Sequence, residues 1–527
     1  MGLALKKPEG EPGAAWPAIV IGLFVAFGGV LFGYDTGIIS GILAMKYWIN
    51  SFTTGDNTAI TTSEDSLIVS ILSLGTFLGA LLAAPVSDFL GRRWGIISST
   101  ACIFNFGVIL QTISTSQPLF IAGRFFAGLG VGLISAMIPL YQSETAPKWI
   151  RGTIVGAYQL AITIGLFLAA IVNYSTKDRN DSGSYRIPIA VQFLWALIIC
   201  IGLFFLPETP RFLIKQDKYE AAAKALAKLR RLPPDHPAIV DELSEVDANH
   251  RYELSIAKAS YGECFRGTVF KRLLTGCLLQ ALQQLSGVNF IFYYGTKYFE
   301  RAGFQSGGFT IQVITNCVNV GSTLPGLYLV EKLGRRNLLL FGAIGMTISQ
   351  FLVAIVGVAT DPDNLSGQRA AISFVCIYIF FFACSWGPVA WVVTGELFPL
   401  KVRAKCLSMT TATNWLFNFA IAYATPYMVN EDRANLGSKV FFIWGSCWQV
   451  FFCIAFVYFM IYETKNMTLE QVDELYTRVS KAWKSPGFVP SVSFTDIRAG
   501  EKGQRRESIV EAAERKASVS TQEAVRS

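Results

Sequence analysis

Two ionisable residues lie deep inside apolar stretches of the sequence. Asp35 is the one acidic or basic residue in the stretch from Trp16 to Met45, and Arg124 interrupts an uncharged stretch between residues 94 and 142. A charge in an apolar interior is costly unless it is paired, so these two side chains are expected to pair. Such a pair either neutralises two charges or acts as a proton switch, in which protonation of Asp35 releases Arg124. The residues leave both interpretations open.

Uncharged polar side chains recur in the other apolar stretches, and several are amides close to tryptophans. They are Gln159, Gln283, Gln284, Asn289, Asn319 and Asn414, with Trp386, Trp391 and Trp415 among them. A single amide in such a place most often holds two helices together. A cluster of amides beside aromatic rings suits a sugar, because amides pair with its hydroxyls and rings pack against its C–H faces. The first three C-terminal amides are expected on one continuous helix.

Two further features bear on where a ligand would bind. Gly387-Pro388 lies within an apolar stretch and predicts a broken helix, which in transporters marks a binding site. Histidine is absent from the apolar stretches, since His236 and His250 both fall in a polar central segment. Asp35 is therefore the leading candidate for any coupled proton.

Three charged motifs occur twice in the same order, at offsets of 243, 252 and 255 residues. The first copy contains Asp88, Arg92, Arg93, Glu144, Arg151 and Glu208, and the second contains Glu331, Arg335, Arg336, Glu396, Arg403 and Glu463. Matches in register predict two halves related by a parallel repeat. Such residues either anchor helix ends at a membrane surface or form ion pairs between the halves that break when one side opens. The repeat favours a cytoplasmic gate.

The composition predicts a membrane protein, because 52% of the residues are hydrophobic and only 16% are charged, against about 25% charged in soluble domains. A helix of about 20 apolar residues crosses the bilayer. Twelve such spans are predicted, near residues 17–42, 66–88, 95–114, 118–142, 153–174, 186–206, 272–297, 309–331, 337–359, 370–397, 405–428 and 438–461. The expected fold is all-α, with twelve transmembrane helices in two six-helix bundles and no separate soluble catalytic domain.

Polar segments divide the chain into five parts. They are an N-terminal segment 1–16, a first bundle 17–206, a central segment 207–271 with short amphipathic helices, a second bundle 272–461 and a largely disordered tail 462–527. Of the 45 Lys and Arg residues, 35 fall on the side of the N terminus. Both termini, the central segment and the tail are therefore expected in the cytoplasm, and the first span is expected to be an uncleaved signal anchor.

Few additional partners are expected. Eight of the ten cysteines lie within predicted spans, so we expect no disulfide framework, no metal site and no cofactor. Basic inner loops account for the net charge of +8, so no nucleic-acid partner is expected, and the apolar surface faces membrane lipids. In the tail, Arg505-Arg-Glu-Ser508 and Arg515-Lys-Ala-Ser518 are interpreted either as kinase targets at the two serines or as an unmodified disordered segment.

Taken together, the motifs resemble the sugar porter family of the major facilitator superfamily, and within it the fungal hexose transporters. The resemblance covers about residues 20 to 475. Its motifs are Phe32-Gly-Tyr-Asp35-Thr-Gly, Gly91-Arg-Arg93, Gly123-Arg124 with the later Glu144, Pro207-Glu-Thr-Pro-Arg211, Gln283-Gln-Leu-Ser-Gly-Val-Asn289, Gly334-Arg-Arg336, Gly387-Pro-Val-Ala-Trp391 and Glu396-Leu-Phe-Pro399.

The resemblance implies the major facilitator fold and transport of a monosaccharide by alternating access, with a hexose such as glucose, or else xylose, as substrate. It implies that the sugar is surrounded by Phe32, Gln159, Gln283, Gln284, Asn289, Tyr294, Asn319, Trp391, Asn414 and Trp415. Asp35 matches bacterial proton symporters of the family, whereas animal facilitators carry Asn there. Some yeast facilitators also carry Asp, so proton symport and uniport both stay open.

The expected location is the plasma membrane. A sugar sensor of the same fold is the second candidate, in which binding signals through a cytoplasmic tail. An enzyme is disfavoured, because no nucleophile with a nearby base, pair of carboxylates or metal cluster can be assembled within the spans.

Overall fold

The structure is a computed structural model that describes residues 14, 16–53, 60–146, 151–255, 261–301, 307–360, 364–399, 402–430, 432–446, 452–465, 467 and 469–488. Within these residues the chain is helical and has no β-strand. Ser508 and Ser518 lie outside the described residues.

Nine helices build the first half. They are α1 (Trp16–Ala26), α2 (Gly28–Ile42), α3 (Lys46–Phe52), α4 (Thr62–Leu90), α5 (Arg92–Ser98), α6 (Asn105–Ile113), α7 (Gln117–Thr145), α8 (Arg151–Thr176) and α9 (Gly183–Phe205). Helices α1 and α2 form one span, and α5 continues into α6 through a π-helical stretch at Ser99–Phe104. The start of α4 is fixed by a capping box, in which Thr61 and Glu64 each bind the other's backbone N–H.

The central segment forms three short helices, as predicted: α10 (Pro210–Lys215), α11 (Tyr219–Arg230) and α12 (Pro237–Ser255). The second half follows with α13 (Gly267–Leu285), α14 (Val288–Arg301), α15 (Gly308–Leu333), α16 (Arg335–Ala359), α17 (Leu365–Cys384), α18 (Trp386–Leu397), α19 (Arg403–Val429), α20 (Val440–Gly445) and α21 (Ile454–Met460). Two six-span bundles are thus present, and the predicted fold class is confirmed.

Nine helical stretches among the described residues are long and apolar enough to cross a membrane. The other three predicted spans correspond to α13 with α14, to α19, and to α20 with α21. Two of these, α13 with α14 and α19, carry most of the amides of the second half, which lowers their mean hydropathy. Polar residues that suit a ligand site therefore weaken the signal of the spans that carry them.

Two helices of the second half are broken near the middle of the bundle. The predicted break at Gly387-Pro388 is confirmed, because α17 ends at Cys384 and α18 begins at Trp386, with Ser385 between them at φ −128° and ψ −82°. The expectation of one helix through Gln283 and Asn289 is wrong. Gly287 has φ +79°, a left-handed conformation that ends α13 and turns the chain into α14.

The halves contact each other mainly through α4 with α19, α8 with α15, and α2 with α14. We call the end of the bundle that carries Arg92 and Arg335 the arginine end. Five polar contacts join the halves at the opposite end: Ser40 with Thr296, Thr62 with Asp432, Asn430 with Thr62, Ser66 with the carbonyl oxygen of Tyr423, and Lys297 with Asp65. The opposite end is therefore closed.

The first part of the tail is folded, which corrects the expectation of disorder for residues 469–488. Helix α22 (Leu469–Arg478) is followed by a 3-10 turn at Ala482–Gly487. The ring of Trp483 stacks on Tyr458 of α21 with centroids 5.7 Å apart. Ser485 Oγ accepts a hydrogen bond from the backbone N–H of Glu463 at 2.8 Å. This segment therefore packs against the second half at the arginine end.

Candidate functional site

A network of amide side chains occupies the middle of the second half, where α13 and α14 meet α19. Gln283 Nε2 donates to the carbonyl oxygen of Trp386 at 2.9 Å, at the break between α17 and α18. Asn414 Nδ2 donates to Gln283 Oε1 at 2.8 Å, and Gln284 Nε2 donates to Asn414 Oδ1 at 2.9 Å. Asn289 Nδ2 donates to Gln284 Oε1. Four predicted site residues are thus brought together.

Two amides of this network, Gln280 and Asn418, were missed by the sequence reasoning. Gln280 Oε1 accepts from Asn414 Nδ2 at 2.7 Å, and Asn418 Nδ2 donates to Gln284 Oε1 at 3.4 Å. Gln280 precedes Gln283 by three residues, and Asn418 follows Asn414 by four. Helical spacing places each pair on one face, so this signal was present in the sequence.

The first half reaches the network with an aromatic ring and an amide. The rings of Phe32 and Trp415 meet edge to face, with centroids 5.2 Å apart. Trp415 Nε1 is buried and has no acceptor among the described residues, so this donor is available to a ligand hydroxyl. Gln159 Nε2 lies 3.7 Å from the point where a Cβ on Gly387 would stand. Both halves therefore contribute to one polar and aromatic site.

Two tyrosines of α14 connect this site to neighbouring helices. Tyr293 donates from its hydroxyl to Asn418 Oδ1 at 3.0 Å, and Ser73 of α4 donates to the same oxygen at 2.6 Å. Tyr294 donates instead to the carbonyl oxygen of Ala422 at 2.7 Å. Its hydroxyl is thus bound to α19 in this state, and its predicted contact with a sugar stays a prediction.

Asn319 and Trp391 are the two predicted site residues that stand apart. Asn319 is buried on α15, and Trp391 is half-buried on α18, about one turn beyond Gly387. The hydrogen bonds of the described residues do not link either side chain to the amide network. Their contact with a sugar also stays a prediction.

The predicted pair of Asp35 and Arg124 is formed. Nη1 of Arg124 lies 3.6 Å from Oδ1 of Asp35 and 3.4 Å from the backbone oxygen of the same residue. Both side chains are completely buried between α2 and α7. The carboxylate contact is longer than a hydrogen bond, so the two charges attract without being locked together. Asp35 follows Phe32 by one helical turn, which places the pair next to the sugar site.

The charged residues of the first repeat form one cluster at the arginine end. Arg92 Nη2 lies 3.0 Å from Glu144 Oε1, and Arg92 Nη1 lies 3.9 Å from Asp88 Oδ1. Glu208 accepts from the backbone N–H of Arg93 at 3.1 Å. Burial raises the pKa of the Glu208 carboxyl, and the backbone N–H donors around it oppose that rise.

The second repeat forms the same cluster in the second half. Arg335 Nη2 lies 2.8 Å from Glu396 Oε1, and Nη1 lies 3.4 Å from Glu331 Oε2. Glu463 accepts from the backbone N–H groups of Arg335 at 3.0 Å and Arg336 at 3.1 Å. Glu463 thus plays the part of Glu208, which supports the internal repeat in three dimensions.

The predicted ion pairs between the halves are not formed in this state. Every ion pair described in the two clusters joins residues of one half. Arg403 binds the carbonyl oxygen of Gly395 within its own half, and the side chain of Arg151 lies outside the described residues. The gate hypothesis expects this arrangement when the arginine end is open, and pairing between the halves on closure stays a prediction.

Comparison with known proteins agrees with this geometry. The family profile described as Sugar (and other) transporter matches residues 21–476. The major facilitator-type transporter ecdD of Aspergillus rugulosus is 63% identical over 506 residues, 93% of each chain. The probable glucose transporter rco-3 of Neurospora crassa is 52% identical over 94% of this chain and 85% of its own. The high glucose sensor RGT2 of Saccharomyces cerevisiae is 43% identical over 88% of this chain and 62% of its own.

A solved structure also matches over nearly the whole chain. The proton:xylose symporter XylE, bound to 6-bromo-6-deoxy-D-glucose, superposes with a TM-score of 0.74 at 26% identity. The match covers 88% of this chain and all of the other. Fold, internal repeat, site and family profile agree, and this chain therefore belongs to the sugar transporter family of the major facilitator superfamily.

Proposed function

We propose that the chain carries a monosaccharide across the membrane by alternating access, with a hexose such as glucose as the main substrate and xylose as a second one. The observation that carries the proposal is the amide network of Gln283, Gln284 and Asn414 beside the Phe32–Trp415 ring pair. Its amides and the indole N–H offer donors and acceptors for sugar hydroxyls, and its rings offer apolar surface. The printed names of rco-3 and XylE give glucose and xylose as substrates of relatives.

Transport is proposed to be coupled to protons through Asp35. The carboxylate is buried 3.6 Å from Arg124 and one turn from the sugar-site residue Phe32. Protonation would remove the attraction between the two charges and change the contact between α2 and α7. The relative XylE is described as a proton symporter. Facilitative uniport is the alternative, in which the pair serves only to neutralise two buried charges.

The arginine end is proposed to face the cytoplasm, with both termini on that side and the chain in the plasma membrane. Lys and Arg concentrate on this side of the predicted spans, as the positive-inside rule requires. The closed end would then face outward, and the structure would represent the inward-facing state. Exposed apolar side chains on the outer faces of the helices, such as Leu82 and Phe106, would contact lipid. Kinase control through Ser508 and Ser518 is a further proposal.

A sugar sensor is the second candidate function, and the 43% identity to the sensor RGT2 favours considering it. The chain spans only 62% of the sensor's length. A sensor would bind sugar with the same site but would move little of it. Measured flux per protein molecule separates the two candidates.

The proposal is tested by uptake of labelled glucose and xylose in cells that lack their own carriers, with and without a protonophore. We expect saturable uptake of glucose, weaker uptake of xylose, and loss of accumulation with the protonophore. Uptake that persists at equilibrium level only, and ignores the protonophore, would favour uniport. Surface protein without uptake of either sugar would contradict transport of these sugars.

A further inference from the structure

A buried ion pair joins the two halves at the closed end. The carboxylate of Asp65, in the first turns of α4, accepts a hydrogen bond from the ammonium group of Lys297 near the end of α14. The side chains are 2% and 13% exposed. Water screens such a pair weakly, so it contributes more to a contact than an exposed pair would.

The lysine lies on the helix that also carries part of the sugar site. Helix α14 (Val288–Arg301) bears Asn289 near its start and Tyr293 one turn later, both in the amide network, and Lys297 one turn further. Gly287, at φ +79°, separates α14 from α13. The helix is therefore a short unit with its own connection, and a contact at Lys297 acts on Asn289 and Tyr293 through one rigid rod.

Packing inside the second half leaves part of α14 unsupported. A cavity of about 210 Å³ lies between Phe290, Tyr294 and Lys297 of α14 and Thr425 and Val429 of α19. On its other side, α14 meets the first half through Ser40 and Thr296, whose hydroxyl oxygens are 3.0 Å apart. The position of α14 thus depends on its polar contacts with the first half, and Asp65 with Lys297 is the charged one among those described.

We propose that Asp65 and Lys297 are positioning residues, which hold α14 against the first half when this end is closed and so set the balance between the two orientations of the carrier. Opening of this end must separate α4 from α14 and break the pair. Loss of either charge would therefore favour the open form and would raise the apparent affinity for sugar on this side relative to the other. The sidedness and the sugar assay rest on the proposed function, whereas the ion pair does not.

The first test measures opening directly and needs no sugar transport. Ser40→Cys is introduced as a reporter, since Ser40 is fully buried beneath the contact with Thr296, and a membrane-impermeant thiol reagent is applied from each side. We expect labelling from the closed side to accelerate several-fold in Asp65→Asn and in Lys297→Gln. The same backgrounds without the reporter cysteine correct for native cysteines, and Asp181→Asn, in an exposed pair with Arg179, is the matched control.

The charge-exchanged variant Asp65→Lys with Lys297→Asp keeps the attraction and decides the mechanism. Labelling that returns toward the parent rate supports the ion pair as the cause. Labelling that is unchanged in both single variants, or a double variant no closer to the parent than either single variant, would overturn the proposal. These outcomes are read on surface protein, so a misfolded variant is recognised by its absence.

The second test measures half-saturation for uptake and for efflux in the same variants. We expect the ratio of the two values to shift at least about threefold toward tighter binding on the closed side, with both rates normalised to surface protein. A purely structural defect would lower the amount of active protein and leave that ratio unchanged. If the parent moves neither glucose nor xylose, the proposed function fails while the labelling test still decides the role of the pair.

Discussion

The rings of Phe32 and Trp415 meet edge to face across the boundary between the two halves, with centroids 5.2 Å apart. Phe32 belongs to α2 and Trp415 to α19, so the contact joins two helices that must move relative to each other in alternating access. The indole N–H of Trp415 is left without an acceptor among the described residues. This pair therefore combines contact between the halves with a free donor in the sugar site.

Truncation of either ring is expected to weaken sugar binding, and the two truncations are expected to be non-additive. An aromatic pair contributes about 0.5 to 1.5 kcal/mol beyond its buried area, so Phe32→Ala with Trp415→Ala should cost less than the sum of the single changes. The measurement is half-saturation of uptake in a double-mutant cycle. Additive effects would mean that the two rings act on the sugar independently.

Gln283→Ala is expected to raise the half-saturation constant for sugar while the protein still reaches the surface. The change leaves Asn414 without one of its partners and removes a site amide; losing one polar partner costs about 1 to 3 kcal/mol, or roughly 5-fold to 150-fold in affinity. Trp391→Ala is expected to weaken binding as well, through lost stacking. Gln111→Ala removes a buried amide of α6, away from the site, and should leave affinity unchanged. Wild-type affinity in Gln283→Ala would reject this site.

Asp35→Asn is expected to abolish accumulation against a gradient and to spare counterflow exchange. The amide keeps the shape of a protonated carboxyl, and the amide network and rings are untouched. If the pair is only structural, Arg124 is left buried and unpaired, at a cost of roughly 3 to 5 kcal/mol that should reduce surface expression. The control is Asp181→Asn in the exposed pair with Arg179. Accumulation that persists in Asp35→Asn at normal surface levels would exclude Asp35 as the essential proton carrier.

The sequence predicted what depends on local pattern and on pairing rules. Apolar length identified the spans, the buried charges identified Asp35 and Arg124 as partners, and Gly387-Pro388 marked a true break. It did not predict the break at Gly287, because a glycine within a helical pattern has no proline to signal a stop. The contact of Asp65 with Lys297 was also missed, since which helix ends meet depends on the orientation of the two halves.

The tail illustrates the same limit. Residues 469–488 are polar enough to predict disorder, yet Trp483 stacks on Tyr458 and Ser485 binds the backbone N–H of Glu463. Each contact needs a partner on the second half, and composition alone does not contain that partner. Such segments fold because a surface exists for them to pack on.

Two truncations test this docking. A chain ending after residue 488 is expected to retain transport, because it keeps the packed segment. A chain ending after residue 478 loses Trp483 and Ser485 and is expected to lose thermal stability and part of its uptake. The measurements are a melting curve in detergent and uptake per surface protein. Equal behaviour of the two truncated chains would show that the docked segment contributes nothing.

Gly334→Ala is expected to destabilise the arginine end. Gly334 has φ +84°, and a Cβ there would overlap the carboxylate of Glu463, which binds the backbone of Arg335. Strain of this kind costs about 1 to 3 kcal/mol. Gly307→Ala is the matched control, because it has φ +72° with no atom within 4 Å of the new Cβ. A smaller loss of melting temperature in the control is expected; equal losses would attribute the effect to backbone strain alone.

Gly91 and Gly334 hold the same left-handed turn, at φ +87° and +84°, in loops 243 residues apart. In each, a glutamate from the last span of that half, Glu208 or Glu463, binds the backbone just after the glycine. These connections are thus welded to their own bundle and are not slack tethers. A pair of spectroscopic labels, one on each loop, would follow the tilt of two rigid plates, and a single distance between them would report the state of the whole carrier.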